Sequence, residues 1–180
     1  MRQSAGYFGF DWKEKDVRDE LECLIRDHPM GNWRVRLLYG RDCKIRTEVF
    51  PQPSMASHTL LVALAPHPVD IRDPFLYNKT THREIYESQV ATRPDCDDLV
   101  FWNKRDEVTE SSIANIVVET NGVKWTPPRS SGLLAGTFRN ELIEQGAIQE
   151  RIVSKKELKE ADNLYLINSV RKWSPARLVI

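Results

Sequence analysis

A lysine lies between an apolar extended stretch and a helix start in Phe75-Leu-Tyr-Asn-Lys79-Thr-Thr-His-Arg83. If Lys79 points into a cleft, desolvation disfavours its ammonium form and frees the amine as a nucleophile. Lysines are usually solvated, so this stretch alone argues for a surface residue. An acid, Glu110, stands in Val108-Thr-Glu-Ser-Ser-Ile-Ala-Asn115, just ahead of a strongly apolar strand where the chain turns inward. A carboxylate buried there needs a cationic or hydrogen-bonding partner, which a structural salt bridge or a cationic ligand can supply. The loop from Thr126 to Gly136 is rich in turn formers and passes directly into a helix opening Thr137-Phe-Arg-Asn-Glu. The first amides of a helix lack intrahelical partners and carry the positive end of its dipole. A phosphate can accept from them where Gly136 permits close approach. Taken singly, each feature also has an ordinary reading: a solvated lysine, an acid at a strand end, a plain loop.

The elements that must position these groups follow from periodicity. A helix is expected over residues 13–28, with Asp11 and Glu14 as its capping signal and Val17, Leu21, Leu24 and Ile25 on one face. Trp33, Val35, Leu37 and Tyr39 alternate, turn at Gly40-Arg41-Asp42, and resume as Ile45, Thr47 and Val49, which is a β-hairpin. The run from His58 to Ala65 reads as a buried strand, and Pro66-His67-Pro68 as a connection between lobes. A boundary is placed there, giving a small N-terminal lobe of residues 1–68 and a larger one of 69–180. The second part predicts a helix from Thr80 or Thr81 to Ala91, strands at 99–102 and 113–119, and a hairpin at Asn121-Gly122. Further helices follow at 137–145, stopped by Gly146, and at a Ser154-Lys-Lys-Glu157 capping box, with a closing strand at 163–170. The fold class is α/β (α+β).

Composition narrows the partners. Lys plus Arg and Asp plus Glu number 26 each, so no overall field draws the protein to nucleic acid or to an anionic membrane. A small-molecule or protein partner is expected. Cys23, Cys43 and Cys96 are odd in number and show no C-x-x-C spacing, which suits a reducing, cytoplasmic setting. The beginning of the sequence does not read as a signal peptide, and no stretch is apolar enough to span a bilayer. His28, His58, His67 and His82 form no i,i+4 pair, so no metal site is expected. A G-x-S-x-G elbow and a dinucleotide fingerprint are both lacking, which sets hydrolase and Rossmann readings aside.

In combination the motifs are more specific. The lysine phrase resembles the class IV pyridoxal-phosphate family and, within it, the aminodeoxychorismate lyases. So do Glu107-Val-Thr-Glu-Ser-Ser-Ile-Ala-Asn-Ile, Trp125-Thr-Pro-Pro, Ser131-Gly-Leu-Leu-Ala-Gly-Thr-Phe-Arg and Leu166-Ile-Asn-Ser-Val-Arg. The resemblance implies that Lys79 is the Schiff-base lysine and that Glu110 hydrogen-bonds the pyridine nitrogen of pyridoxal 5′-phosphate. It assigns Gly136, Thr137 and Phe138 to the turn whose amides hold the cofactor phosphate, and Ser169 to a hydroxyl on the same phosphate. It also offers Arg36 and Arg171 as partners for a substrate carboxylate, although arginines on half-buried strands serve salt bridges equally well.

The implied fold is two-lobed, with a shortened N-terminal lobe. Met1 takes the place of a leucine in the family's Arg-Leu-x-x-Ser-Ala helix, so that helix's phosphate-binding arginine is not matched, and Arg2 should point off the same face. The implied reaction acts on a small-molecule amine, 4-amino-4-deoxychorismate, and yields 4-aminobenzoate, a folate precursor, and pyruvate. A class IV transaminase of branched-chain or D-amino acids would use the same lysine and acid. A truncated remnant acting as a binding module is the third reading. A homodimer belongs to the same expectation.

Overall fold

A computed structural model describes residues 1–52 and 58–179 of the chain. Two compact units divide it, Met1–Ala56 and Ser57–Ile180. In the first, helix α1 (Arg2–Tyr7) and helix α2 (Glu14–Asp27) precede an antiparallel hairpin of β1 (Trp33–Tyr39) and β2 (Ile45–Pro51). Thr47 of β2 donates to Glu20 of α2 at 2.9 Å, and the Tyr39 hydroxyl donates to the Asp11 carbonyl at 2.6 Å, fastening the hairpin to the helical segment. The expected capping signal is not realised. The cap residue of α2 is Lys13, with no side-chain bond, because Asp11 pairs with the Lys13 ammonium and Glu14 with Arg18.

The second unit runs through β3 (Leu60–Leu64), α3 (Glu84–Val90), β4 (Asp98–Trp102), β5 (Val108–Ser111), β6 (Asn115–Thr120), β7 (Val123–Thr126) and α4 (Thr137–Glu144). It continues with β8 (Gln149–Glu150), α5 (Lys155–Glu160), β9 (Asn163–Asn168) and β10 (Lys172–Leu178). The strand order is β5-β4-β3-β10-β9-β6-β7-β8. Glu110 of β5 also pairs with Asn115 of β6, so the strands from β5 to β6 return on themselves. β3 lies parallel to both β4 and β10 inside this sheet. It therefore belongs to the second unit, whereas the boundary read from the sequence after Pro68 had left it in the first. A nearly continuous apolar strand needs neighbours on both edges and cover on both faces, and only the larger sheet supplies them.

Side chains alternate across the sheet. Leu60, Val62, Val100, Val108, Ile116, Val118, Leu164 and Leu166 form one core cluster. Ala63, Leu99 and Phe101 point the other way and pack with Val69, Leu76 and Tyr86, the last on α3. Val117 and Ile167 pack with Phe138 and Leu142 of α4. The Asn121-Gly122 turn has positive φ at both residues, as a two-residue hairpin demands, and the Ser154–Glu157 capping box is fully formed. Helix α3 starts at Glu84 rather than at Thr80 or Thr81, because the Thr80 hydroxyl accepts from the His82 amide and diverts the backbone into a turn. β10 escapes sequence reading because Pro175 interrupts it. That proline sits opposite Tyr165 of β9, and the pairing with β3 begins only at Ala176. Among the described residues no helix is long and apolar enough to cross a membrane.

Candidate active site

Glu110 is the residue around which the second unit's polar groups gather. It lies on β5, a strand of its own and not merely the approach to β6, and it is 7% exposed. The Tyr86 hydroxyl donates to Oε1 at 2.8 Å, and the Leu134 amide donates to the same oxygen at 3.2 Å. Among the described residues, Oε2 receives only the long 3.4 Å bond from the Asn115 amide. All three donors are neutral. Burial pushes the carboxyl up to about 8, against the pull of Tyr86, of the Leu134 amide and of the positive charges of Lys79 and Arg83. A carboxylate that is buried, hydrogen-bonded by neutral groups and has one oxygen short of donors is disposed to accept from a cationic N–H.

Asn115 links this acid to the loop behind it. Its amide also donates to the Leu134 carbonyl at 2.8 Å, and a Cβ at Gly136 would collide with its Oδ1. Gly136 is the cap residue of α4 and offers no side-chain cap, so the opening amides at Thr137 and Phe138 are left for another acceptor. The turn after β9 carries Ser169 and Arg171, both exposed. Asn115 stands opposite Ile167 in the register, and Asn168 donates to the Ile113 carbonyl at 3.3 Å, so this turn emerges at the end of the sheet where β6 begins. The Lys172 ammonium lies 4.4 Å from the ring centroid of Phe138, which brings the same turn to the start of α4.

The loop leading to Gly136 is pinned from beneath. Glu107 accepts from Arg105 at 2.9 and 2.8 Å, from Asn103 at 2.8 Å and from Ser131 at 2.9 Å, and the Arg105 guanidinium holds its carboxyl down to about 2. Buried Arg139 of α4 bonds the Pro127 carbonyl at 2.8 Å and pairs with Glu150.

Lys79 lies in the connection before α3 and is exposed, in contrast to the desolvated setting considered from the sequence. Its charge nevertheless acts on Glu110. Lys79, Glu110, Gly136, Thr137, Phe138, Ser169 and Arg171 all belong to the second unit. Arg36 belongs to the first, where it pairs with Glu48 directly across the hairpin at 3.2 Å. Sequence reading missed Tyr86, Asn115 and the Leu134 amide. A tyrosine on a short helix and an asparagine at a strand start carry no distinguishing spacing, and a backbone amide carries none at all. No group of three or more residues able to hold a metal ion occurs among the described residues.

Residues 1–179 match the amino-transferase class IV family. The chain belongs to that family. Over its whole length it is 30% identical to a candidate aminodeoxychorismate lyase of Schizosaccharomyces pombe, 81% of which is covered. A candidate amino-acid aminotransferase from Mesorhizobium loti superposes with a TM-score of 0.90 at 29% identity, covering 99% of this chain and 87% of that one. A candidate 4-amino-4-deoxychorismate lyase from Legionella pneumophila shares the fold, with a TM-score of 0.81 at 23% identity over 98% of this chain and 73% of that one. Class IV enzymes depend on pyridoxal phosphate in general. This site fits such a group on two counts: a buried acid whose hydrogen-bond donors among the described residues are neutral, and an uncapped helix start beside it.

Proposed function

We propose that the chain is a pyridoxal-phosphate enzyme in which Lys79 carries the cofactor, and that its reaction is the conversion of 4-amino-4-deoxychorismate to 4-aminobenzoate and pyruvate. The observation that carries the cofactor reading is Glu110, buried and, among the described residues, bonded only by neutral donors, beside the uncapped start of α4. When bound, the cofactor supplies an electron sink for the carbon that bears the substrate amine. Glu110 would hold the proton of the ring nitrogen. The amides at Thr137 and Phe138, with the hydroxyl of Ser169, would hold the phosphate. Lys79, once its amine is free, is the base that takes the proton from the carbon bearing the substrate nitrogen. Arg171 is the cation for a substrate carboxylate.

The lyase assignment is supported by the likeness to the Schizosaccharomyces pombe protein, which extends over the full chain. A transaminase is the second reading, favoured by the close superposition on the Mesorhizobium loti protein. Its residues would be the same, but turnover would need a 2-oxo acid acceptor. Purified chain mixed with pyridoxal phosphate and reduced with borohydride should be labelled at Lys79, and Lys79→Ala should not be. Equal labelling of the two would sink the assignment. Release of pyruvate from aminodeoxychorismate without any amino acceptor identifies the lyase, and strict dependence on an acceptor identifies the transaminase.

A further inference from the structure

Tyr86 contacts Glu110 but has no part in the roles above. It is 6% exposed, sits on α3, and its ring packs edge-on against Phe101 at 4.9 Å. Burial and the neighbouring carboxylate push its phenol far above the ordinary range, so the group stays protonated and donates. The charged groups acting on Glu110 are Lys79 and Arg83, from the segment ahead of α3. Arg83 is engaged elsewhere: its guanidinium donates to the Ser112 carbonyl at 2.5 Å and lies 5.4 Å from the Tyr86 ring centroid. Asn115 from β6 and the Leu134 amide complete the surroundings, and both are neutral. The shortest bond to the acid therefore comes from an uncharged donor. A guanidinium in that place would neutralise the carboxylate permanently, whereas a phenol favours the ionised form and leaves its charge for an incoming cation.

We propose that Tyr86 is a positioning residue for Glu110. Its O–H takes up Oε1, eases ionisation of the buried carboxyl and leaves Oε2 for the cationic ring N–H of pyridoxal phosphate. This rests on the cofactor reading above.

Tyr86→Phe in the full chain removes the donor and keeps the ring against Phe101. The carboxyl carbon of Glu110 is titrated by 13C NMR without cofactor, and pyridoxal phosphate affinity is measured across the same pH range. The variant should raise the Glu110 midpoint by about one unit, a shift equal to a tenfold change in the ionisation equilibrium. Affinity should fall about tenfold near pH 7 and recover near pH 10, where the carboxylate is ionised in both proteins. Incorporation of 3-fluorotyrosine at position 86, a stronger donor of nearly the same shape, should move the midpoint down, and this readout remains if the phenylalanine variant folds poorly. An unchanged midpoint in both proteins, or an affinity loss that does not vary with pH, overturns the positioning role alone. Failure of the wild-type chain to take up pyridoxal phosphate at any pH overturns the cofactor reading and this proposal together.

Discussion

Gly136 and Asn115 are matched to each other: a Cβ on the glycine would occupy the place of the asparagine Oδ1. Asn115 cannot swing aside freely, because its amide is bonded to the Leu134 carbonyl and reaches Glu110. Gly136→Ala should therefore destabilise the chain by about 1–3 kcal/mol, the cost of overpacking a well-filled site. Urea unfolding measures it. The double variant Gly136→Ala, Asn115→Ala should regain part of the loss, and strict additivity of the two single changes would refute the clash.

Glu110 should make the apo-chain less stable as pH rises. Its folded carboxyl sits at about 8 against an ordinary value of 4.5, so the folded state binds more protons than the unfolded state between those limits. The stability it contributes is fully present below about 4.5 and lost as pH climbs through about 8. Glu110→Gln should flatten that slope and raise the unfolding free energy near pH 8 by several kcal/mol, on the order of 4. Identical pH profiles for the two proteins would refute this.

Glu107 acts in the opposite sense. Its carboxyl is lowered to about 2, so its contribution is present above its ordinary value of 4.5 and disappears as pH falls through about 2. Glu107→Gln should lower the neutral and alkaline limb of the stability curve and flatten the acid one, the two proteins converging as pH falls through about 2. Circular dichroism during acid titration separates the two limbs.

Arg139 is 2% exposed, and its ion-pair partner Glu150 is partly solvated. Glu150→Ala leaves the guanidinium buried without its counter-charge and should cost about 3 kcal/mol, the low end for breaking a buried pair. Arg139→Met should cost less, because no unpaired charge remains. Thermal unfolding of both variants tests the order, and the reverse order would contradict it.

Ser154 closes the capping box of α5 by accepting from the Glu157 amide at 3.1 Å. Ser154→Ala should lower stability by about 1 kcal/mol. No change in the urea midpoint would mean that the cap contributes nothing to folding.

Local chemistry made much of this fold legible. The β1–β2 hairpin, the Asn121-Gly122 turn, the Ser154 cap and the stop of α4 before Gly146 each depend on residues near in sequence, and each forms as read. The ordered motifs around Lys79, Glu110 and Gly136 likewise indicate the family from the sequence alone. Less visible were the features that depend on distant partners. β10 hid behind Pro175, and β3 was assigned to the first lobe because its place between β4 and β10 is set by residues far along the chain.

The sequence by itself determined the family and many of the sheet-forming segments, because residue type and spacing carry that information. Only the tertiary structure decided what surrounds the acid. Tyr86 lies 24 residues before Glu110, and Leu134 lies 24 residues after it. Their approach comes from α3 packing on the sheet and from the pinned loop that leads to Gly136. Burial then sets the electrostatics: the carboxyl is taken out of solvent and, among the described residues, is held by neutral donors.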